Sequence, residues 1–149
     1  MTCPSAMVLV VDDDASVRKS LSRVISEAGY RVQTYASSRE FLARAPEPGP
    51  SCLVLDVRMP GITGLELQET LAGAVHEIPI VFITGHGDIL MSVKAMKAGA
   101  VDFLTKPFAR KDLLDAIARA VAKDARDLGT EARDDEIRVR VKLLTPRAR

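Results

Sequence analysis

The chain has 149 residues, of which 47% are apolar and 28% charged, with no Trp; this fits one globular domain with a short appendage and an aliphatic core. A net charge of +1 leaves no global basic field for nucleic acid, and residues 124–149 hold seven Lys/Arg against six Asp/Glu, so the tail is not a basic arm. Two unmatched thiols (Cys3 and Cys52), no apolar run near the roughly 20 residues of a membrane span, and no signal-peptide pattern predict a cytoplasmic protein without a membrane partner.

Met7-Val8-Leu9-Val10-Val11 is wholly apolar and ends in Asp12-Asp13-Asp14, which reads as a strand buried on both faces. Ser16 to Ala28 reads as a helix, because Val17, Leu21, Val24, Ile25 and Ala28 recur along one stripe. Gly29 stands where a left-handed cap favours glycine. Arg31 to Tyr35 alternates as a short strand. Ser37 or Ser38 can cap the next helix, with Glu40 in its first turn and Phe41, Leu42 and Ala45 as its apolar side. Pro46-Glu47-Pro48-Gly49-Pro50 stops it. Cys52-Leu53-Val54-Leu55 runs into Asp56, and Pro60-Gly61 turns the chain after Arg58. Thr63 opens a third helix reaching about Leu71. Ile78 to Thr84 is a fourth strand, with Pro79 at its entry where no ladder bond is lost.

Gly85-His86-Gly87-Asp88 is a loop, Ile89 to Ala98 a helix ended by Gly99, Val101 to Thr105 a fifth strand stopped by Lys106-Pro107, and Ala109 to Lys123 the last helix. Strands alternating with helices imply right-handed crossovers and a doubly wound α/β sheet, five-stranded and parallel. The flavodoxin-like order 2-1-3-4-5 puts the switch point between the first and third strands, which end in Asp12, Asp13 and Asp56. From Asp124 the texture becomes charged and small. This predicts a domain over residues 1–123 and a linker or solvated helix over 124–149, where Ile137, Val141 and Leu144 return to helical spacing. Thr145-Pro146 looks like the start of a further helix, so the expected boundary cuts through something larger.

Three carboxylates at one crevice repel: two unit charges 4 Å apart cost about 4 kcal/mol at an effective dielectric near 20. Such a cluster persists when one acid stays protonated or when positive charge sits among it, which Lys106 supplies in part and a hard divalent cation such as Mg2+ would complete. Thr84 ends the fourth strand with a hydroxyl, and Gly85 beside it leaves room for an incoming group. Acids, a metal, a lysine and a hydroxyl describe a site that handles a phosphoryl group, with Asp56 as the nucleophile. Each signal has a plain structural counterpart: aspartates cap helices and turns, threonines favour strands, and Lys-Pro is a stop. The joint occurrence at four strand ends is what is specific. His76 and His86 read as surface or loop residues, too few for a zinc site.

Val11-Asp12-Asp13-Asp14, Leu55-Asp56-Val57-Arg58-Met59-Pro60-Gly61, Ile83-Thr84-Gly85-His86-Gly87-Asp88 and Ala98-Gly99-Ala100-Val101-Asp102-Phe103-Leu104-Thr105-Lys106-Pro107-Phe108 resemble the receiver domain of two-component response regulators, the CheY-like fold, over residues 6–123. The Thr84–Asp88 and Met96–Phe103 stretches resemble its FixJ branch. The resemblance implies that Asp56 is the phosphoacceptor for a sensor histidine kinase. It further implies that Asp13, Asp56 and the Arg58 backbone carbonyl ligate Mg2+, that Asp12 holds the metal's water shell, and that Lys106 contacts the phosphoryl oxygens. Thr84 would swing towards the phosphate while Phe103 turns inward, and the Lys106-Pro107 bond would be cis.

Such a protein is a switch rather than an enzyme, with only Mg2+-dependent self-phosphorylation and self-dephosphorylation. The phosphoryl charge of about −1.5 to −2 would bias the face of the fourth helix and fifth strand, carrying Val93, Met96, Lys97 and Phe103, towards a homodimer. The alternative is that Val93 and Met96 pack on the sheet. Leu90 departs from the branch, which often has proline there. FixJ relatives continue into a helix-turn-helix output domain whose opening resembles Leu143-Leu144-Thr145-Pro146-Arg147, so DNA would be reached only through a domain not in this chain.

Three rivals bear on the same residues. A haloacid-dehalogenase-type phosphatase would use Asp12-x-Asp14, but needs an acidic pair where Thr84-Gly85 stands. A flavodoxin-like FMN carrier would not put Asp12-Asp13-Asp14 against a phosphate. A stand-alone receiver would signal by protein contact alone.

Overall fold

In the computed structural model, strands β1 (Met7–Val11), β2 (Arg31–Tyr35), β3 (Ser51–Asp56), β4 (Ile80–Thr84) and β5 (Asp102–Thr105) form one sheet in the order β2-β1-β3-β4-β5, and all four pairings are parallel. Helices α1 (Ala15–Glu27), α2 (Ser38–Leu42), α3 (Gly64–Ala72), α4 (Ile89–Lys97) and α5 (Arg110–Leu144) connect and follow them. The structure describes residues 6–44, 49–59, 61–72, 78–85 and 89–144, with side chains described as far as residue 127, Ile89 excepted. Cys3, the stop at Pro46-Glu47-Pro48, Pro60, His76, His86-Gly87-Asp88 and Thr145-Pro146 lie outside the described residues.

The strand order and the parallel sense are those expected from the alternating runs. β1 and β4 are buried throughout and β3 from its second residue, whereas the edge strands β2 and β5 are mixed. Central strands of a parallel sheet have helices on both faces, so continuous apolar sequence is what they require. The period of two sorts their side chains. Val8, Val10, Cys52, Val54, Val81 and Ile83 meet α1 and α5 through Leu21, Ile25, Leu113 and Ile117. Met7, Leu9, Val11, Leu53, Leu55 and Phe82 meet Phe41 of α2, Leu67 of α3 and Ala95 of α4 on the other face.

Local signals set the helix ends. The Asp14 carboxylate accepts from the Ser16 and Val17 N–H groups and caps α1, and Gly29 takes φ +101° just past its end. Ser37 caps α2, its hydroxyl accepting from the Glu40 N–H at 3.1 Å. Thr63 and Glu66 form a reciprocal box at α3: Thr63 N–H donates to Glu66 Oε1 (2.9 Å) and Glu66 N–H to Thr63 Oγ1 (3.2 Å). The Lys106-Pro107 bond is cis. No helix among the described residues is long and apolar enough to cross a membrane.

One boundary differs from the sequence reading. The last helix does not end at Lys123; α5 continues unbroken to Leu144. Asp124, read as the first linker residue, is 1% exposed and its Oδ2 accepts from the Ser51 N–H at 2.7 Å. It belongs to the packed body because the first N–H of β3 needs an acceptor there.

Candidate functional site

Register brings the strand ends to one edge. Val11 pairs with Leu55, Asp56 with Ile83 and Thr84 with Thr105, so Asp12, Asp56, Thr84 and Lys106 leave neighbouring strands within about one residue of the same level. Such a carboxyl edge, at a reversal in strand order, is where open α/β sheets bind ligands.

Ligand atoms of Asp12, Asp13 and Asp56 all lie within 4.8 Å of one another. Asp12 and Asp56 are buried and Asp13 is exposed, so the pocket opens on the Asp13 side. Asp12 is the best held. Its Oδ1 accepts from the Asp14 N–H at 2.9 Å, its Oδ2 pairs with Lys106 Nζ at 3.2 Å, and its backbone carbonyl accepts from Arg18 Nη1 at 2.7 Å. Asp56 Oδ1 accepts from the Arg58 N–H at 3.1 Å.

Burial, with the neighbouring Asp12 charge second and Asp13 adding a smaller push, drives the Asp56 carboxyl up to about 6; the Arg58 N–H and Lys106 oppose this. One lysine among three carboxylates leaves the pocket net negative. Its donors are oxygens, the set a hard divalent cation prefers, so the residues present fit such an ion.

Thr84 is 1% exposed at the end of β4, and its carbonyl accepts from the Lys106 N–H at 2.7 Å, which ties the lysine's backbone to that strand end. Phe103 is half-buried, its ring 6.0 Å from that of Phe82 and tilted by 40°. It packs against the apolar layer on that side while keeping part of its surface exposed. Val93 and Met96, each 44% exposed, and Lys97 do face solvent, so the alternative in which Val93 and Met96 pack on the sheet does not hold. Ala95 supplies that packing instead.

Several features escaped the sequence. An added Cβ at Gly64 would lie 2.5 Å from the Asp56 backbone oxygen and 2.9 Å from Val57 Cα, so this glycine lets α3 start directly against the end of β3. The signal was a glycine at a helix start, where it is a poor helix former. Gly85, read as making room, meets nothing within 4 Å when a Cβ is added; crowding does not require it. Arg18 sits six residues after Asp12 on the stripe of α1 that faces the pocket. Leu90 is 80% exposed at the start of α4 and extends the Val93–Met96 patch. Asp14, the acid of the phosphatase reading, is held below the usual carboxylate range chiefly by the Ser16 hydroxyl and by the Ser16 and Val17 N–H groups. A carboxylate used as a cap is ill suited to donate a proton.

The sequence profile of the response regulator receiver domain matches residues 8–118. Nodulation protein W of Bradyrhizobium diazoefficiens is 46% identical over 142 residues, covering 95% of this chain and 63% of that protein. Response regulator protein TmoT of Ectopseudomonas mendocina is 47% identical over 121 residues, 81% of this chain and 55% of that one. The chain thus spans under two thirds of the length of these relatives. Among solved structures, response regulator StyR superposes with a TM-score of 0.83 at 48% identity, covering 90% of this chain and 68% of that one. FixJ-N does so with a TM-score of 0.74 at 44% identity, covering 82% and 96%. The matched span runs from β1 into α5 and so includes every strand end that builds the acidic pocket; the chain belongs to the response regulator receiver family.

Proposed function

We propose that the chain is a phosphorylation switch in which Asp56 takes a phosphoryl group from the phosphohistidine of a sensor histidine kinase. The observation that carries this is the gathering of Asp12, Asp13 and Asp56 within 4.8 Å, with Lys106 Nζ 3.2 Å from Asp12.

An Asp56 carboxylate oxygen attacks phosphorus; a P–O bond forms, the P–N bond breaks, and its electron pair leaves on the imidazole. The attacking form is the ionised one, which predominates at neutral pH with Asp56 held at about 6. Asp13, Asp56 and the Arg58 backbone carbonyl would hold Mg2+, with Asp12 on its water shell. Bound there, the ion neutralises charge on the phosphoryl oxygens. Lys106, already beside the cluster, exchanges part of its contact with Asp12 for a phosphoryl oxygen. Self-dephosphorylation is a separate in-line step: a water oxygen bonds to phosphorus, the bond between phosphorus and the Asp56 oxygen breaks, and its electron pair restores the carboxylate as inorganic phosphate leaves.

The new charge of about −1.5 to −2 gives the buried Thr84 hydroxyl a strong acceptor. Its turn towards that acceptor, coupled to Phe103, shifts the α4 and β5 face between two populations. The exposure of Val93, Met96 and Lys97, with the half-buried Phe103 beside them, supports dimerisation through this face. The relatives include transcriptional regulatory protein FixJ of Bradyrhizobium diazoefficiens, 40% identical over 142 residues. On this reading residues 1–124 carry the switch, since Asp124 is buried and bonded to the first residue of β3, residues 125–149 lead from it, and a helix-turn-helix output domain contacts DNA.

Intact mass spectrometry after incubation with acetyl phosphate and Mg2+ tests the assignment. The expected result is a gain of one phosphoryl group that is lost in Asp56→Asn and survives in Asp12→Asn at reduced yield. A gain that persists in Asp56→Asn, or none in the wild type, overturns it.

A further inference from the structure

We propose that Ser38 is a positioning residue of the phosphoacceptor site, holding from outside the loop that returns from Asp56. The inference rests on the switch reading above, and it adds a residue from α2, an element with no assigned part in the chemistry.

Ser38 is 1% exposed, and its hydroxyl donates to the Ile62 carbonyl at 3.1 Å, across 24 residues of sequence. Ile62 lies in the β3–α3 loop, the segment that carries Arg58 and turns back into α3. The outgoing limb of that loop is fixed by the Val57 N–H on the Ile83 carbonyl (3.0 Å) and the Arg58 N–H on Asp56 (3.1 Å). The returning limb is fixed by the Thr63–Glu66 box and by the Gly64 N–H on the Val57 carbonyl (3.0 Å). Between these anchors Ser38 supplies a directional bond from a neighbouring element to Ile62.

The donor is itself well placed. Ser37 caps α2, Glu40 Oε1 accepts from the Ala36 N–H at 3.1 Å, and Phe41, fully buried, packs in the same apolar cluster as Val57, Met59 and Ile62. A serine at this buried helix position gains nothing from helix propensity over alanine, so the hydroxyl is explained by its partner. Because metal sites depend on the groups that orient their ligands, releasing Ile62 loosens the backbone that presents Arg58.

The test compares the full chain with Ser38→Ala and with Ile25→Val, a change on the opposite face of the sheet that costs stability without touching the loop. Alanine is smaller than serine and favours helix, so the variant folds; circular dichroism checks this. Two quantities are read. One is amide hydrogen exchange over residues 57–64 in metal-free protein. The other is the Mg2+ concentration that gives half the rise in Tm. Ser38→Ala is expected to exchange about tenfold faster in that segment and to bind Mg2+ about tenfold more weakly, while Ile25→Val keeps wild-type values of both. Wild-type exchange and Mg2+ response in Ser38→Ala, or equal changes in Ile25→Val, overturn the proposal. If Mg2+ fails to stabilise even the wild type, the metal site is what fails, and the metal-free exchange rates still decide the role of Ser38.

Discussion

A crowded acidic pocket of this kind should cost the folded protein stability, and Asp56→Asn should recover it. Folding raises the Asp56 carboxyl from 3.8 to about 6. Each unit corresponds to about 1.4 kcal/mol, so the ionised side chain opposes folding by up to roughly 3 kcal/mol. Asp13 is exposed and the pocket is open on that side, so solvent screening reduces the figure to about 1–2 kcal/mol.

The sign follows from proton binding. With the folded value above the unfolded one, the native state holds more protons between pH 4 and 6. The penalty is absent below about pH 4, grows as pH rises through 6, and is complete by pH 8. Asparagine keeps the acceptor for the Arg58 N–H and removes the charge. In metal-free buffer Asp56→Asn should therefore melt roughly 2–6 °C higher than wild type at pH 8, with the gap closing as pH falls towards 4. Circular dichroism melts across that range measure it, since the chain has no Trp. Added Mg2+ should raise the wild type more than the variant. A variant that melts lower at pH 8, or a gap that ignores pH, refutes the reasoning about charge crowding.

The other elements of the pocket make separate predictions. Lys106→Met leaves the buried Asp12 carboxylate without its cation and should destabilise metal-free protein by about 1–3 kcal/mol at pH 8. Asp12→Asn in the same chain should recover most of that in a double-mutant cycle of urea unfolding, and an additive result would count against the pair. Gly64→Ala pushes a methyl group against the Asp56 and Val57 backbone. It should cost about 1–3 kcal/mol and slow labelling by acetyl phosphate; unchanged labelling would show that the close approach is not needed at the site. Val93→Asp, on the exposed α4 patch, should change the unfolding free energy by no more than about 0.5 kcal/mol and abolish dimers of acetyl-phosphate-treated protein in analytical ultracentrifugation. Dimers that persist would move the interface elsewhere.

The pocket was legible because its parts follow from simple rules. Apolar runs such as Val8–Val11 and Leu53–Leu55 have no polar face to show, so they belong between two helix layers, and a polar residue after such a run falls at a strand end. In a parallel sheet all those ends lie on one edge, so Asp12, Asp56, Thr84 and Lys106 could be gathered from spacing alone. The cap of α2 was legible for the same local reason, since Ser37 or Ser38 stands before its apolar side and Ser37 takes the role, whereas Asp14 as the cap of α1 is visible only in the structure. What escaped was determined by neighbours distant in sequence. Gly64 is required by the backbone of Asp56, not by its own helix. The space around Gly85 is open to any side chain as far as the described protein atoms go, so only an incoming group could require glycine there. Phe103 was assigned to both an inward switch and an outward contact, and its half-buried packing on Phe82 accommodates both.

Asp124 carries the same lesson to the other end of the sheet. A charged residue at the start of a charged stretch reads as solvated, yet its carboxylate is buried because the Ser51 N–H opens β3 with no strand partner of its own. Nearby, burial pushes the Cys52 thiol far up, with the Asp124 charge adding to it, so this cysteine is inert core rather than a reactive group. β3 is thus anchored to α5 at its first residue and carries Asp56 at its last, about 17 Å away at 3.3 Å per residue. A receiver unit cut after Lys123 would leave the Ser51 N–H without its acceptor. The folded unit that supports Asp56 therefore extends at least through Asp124.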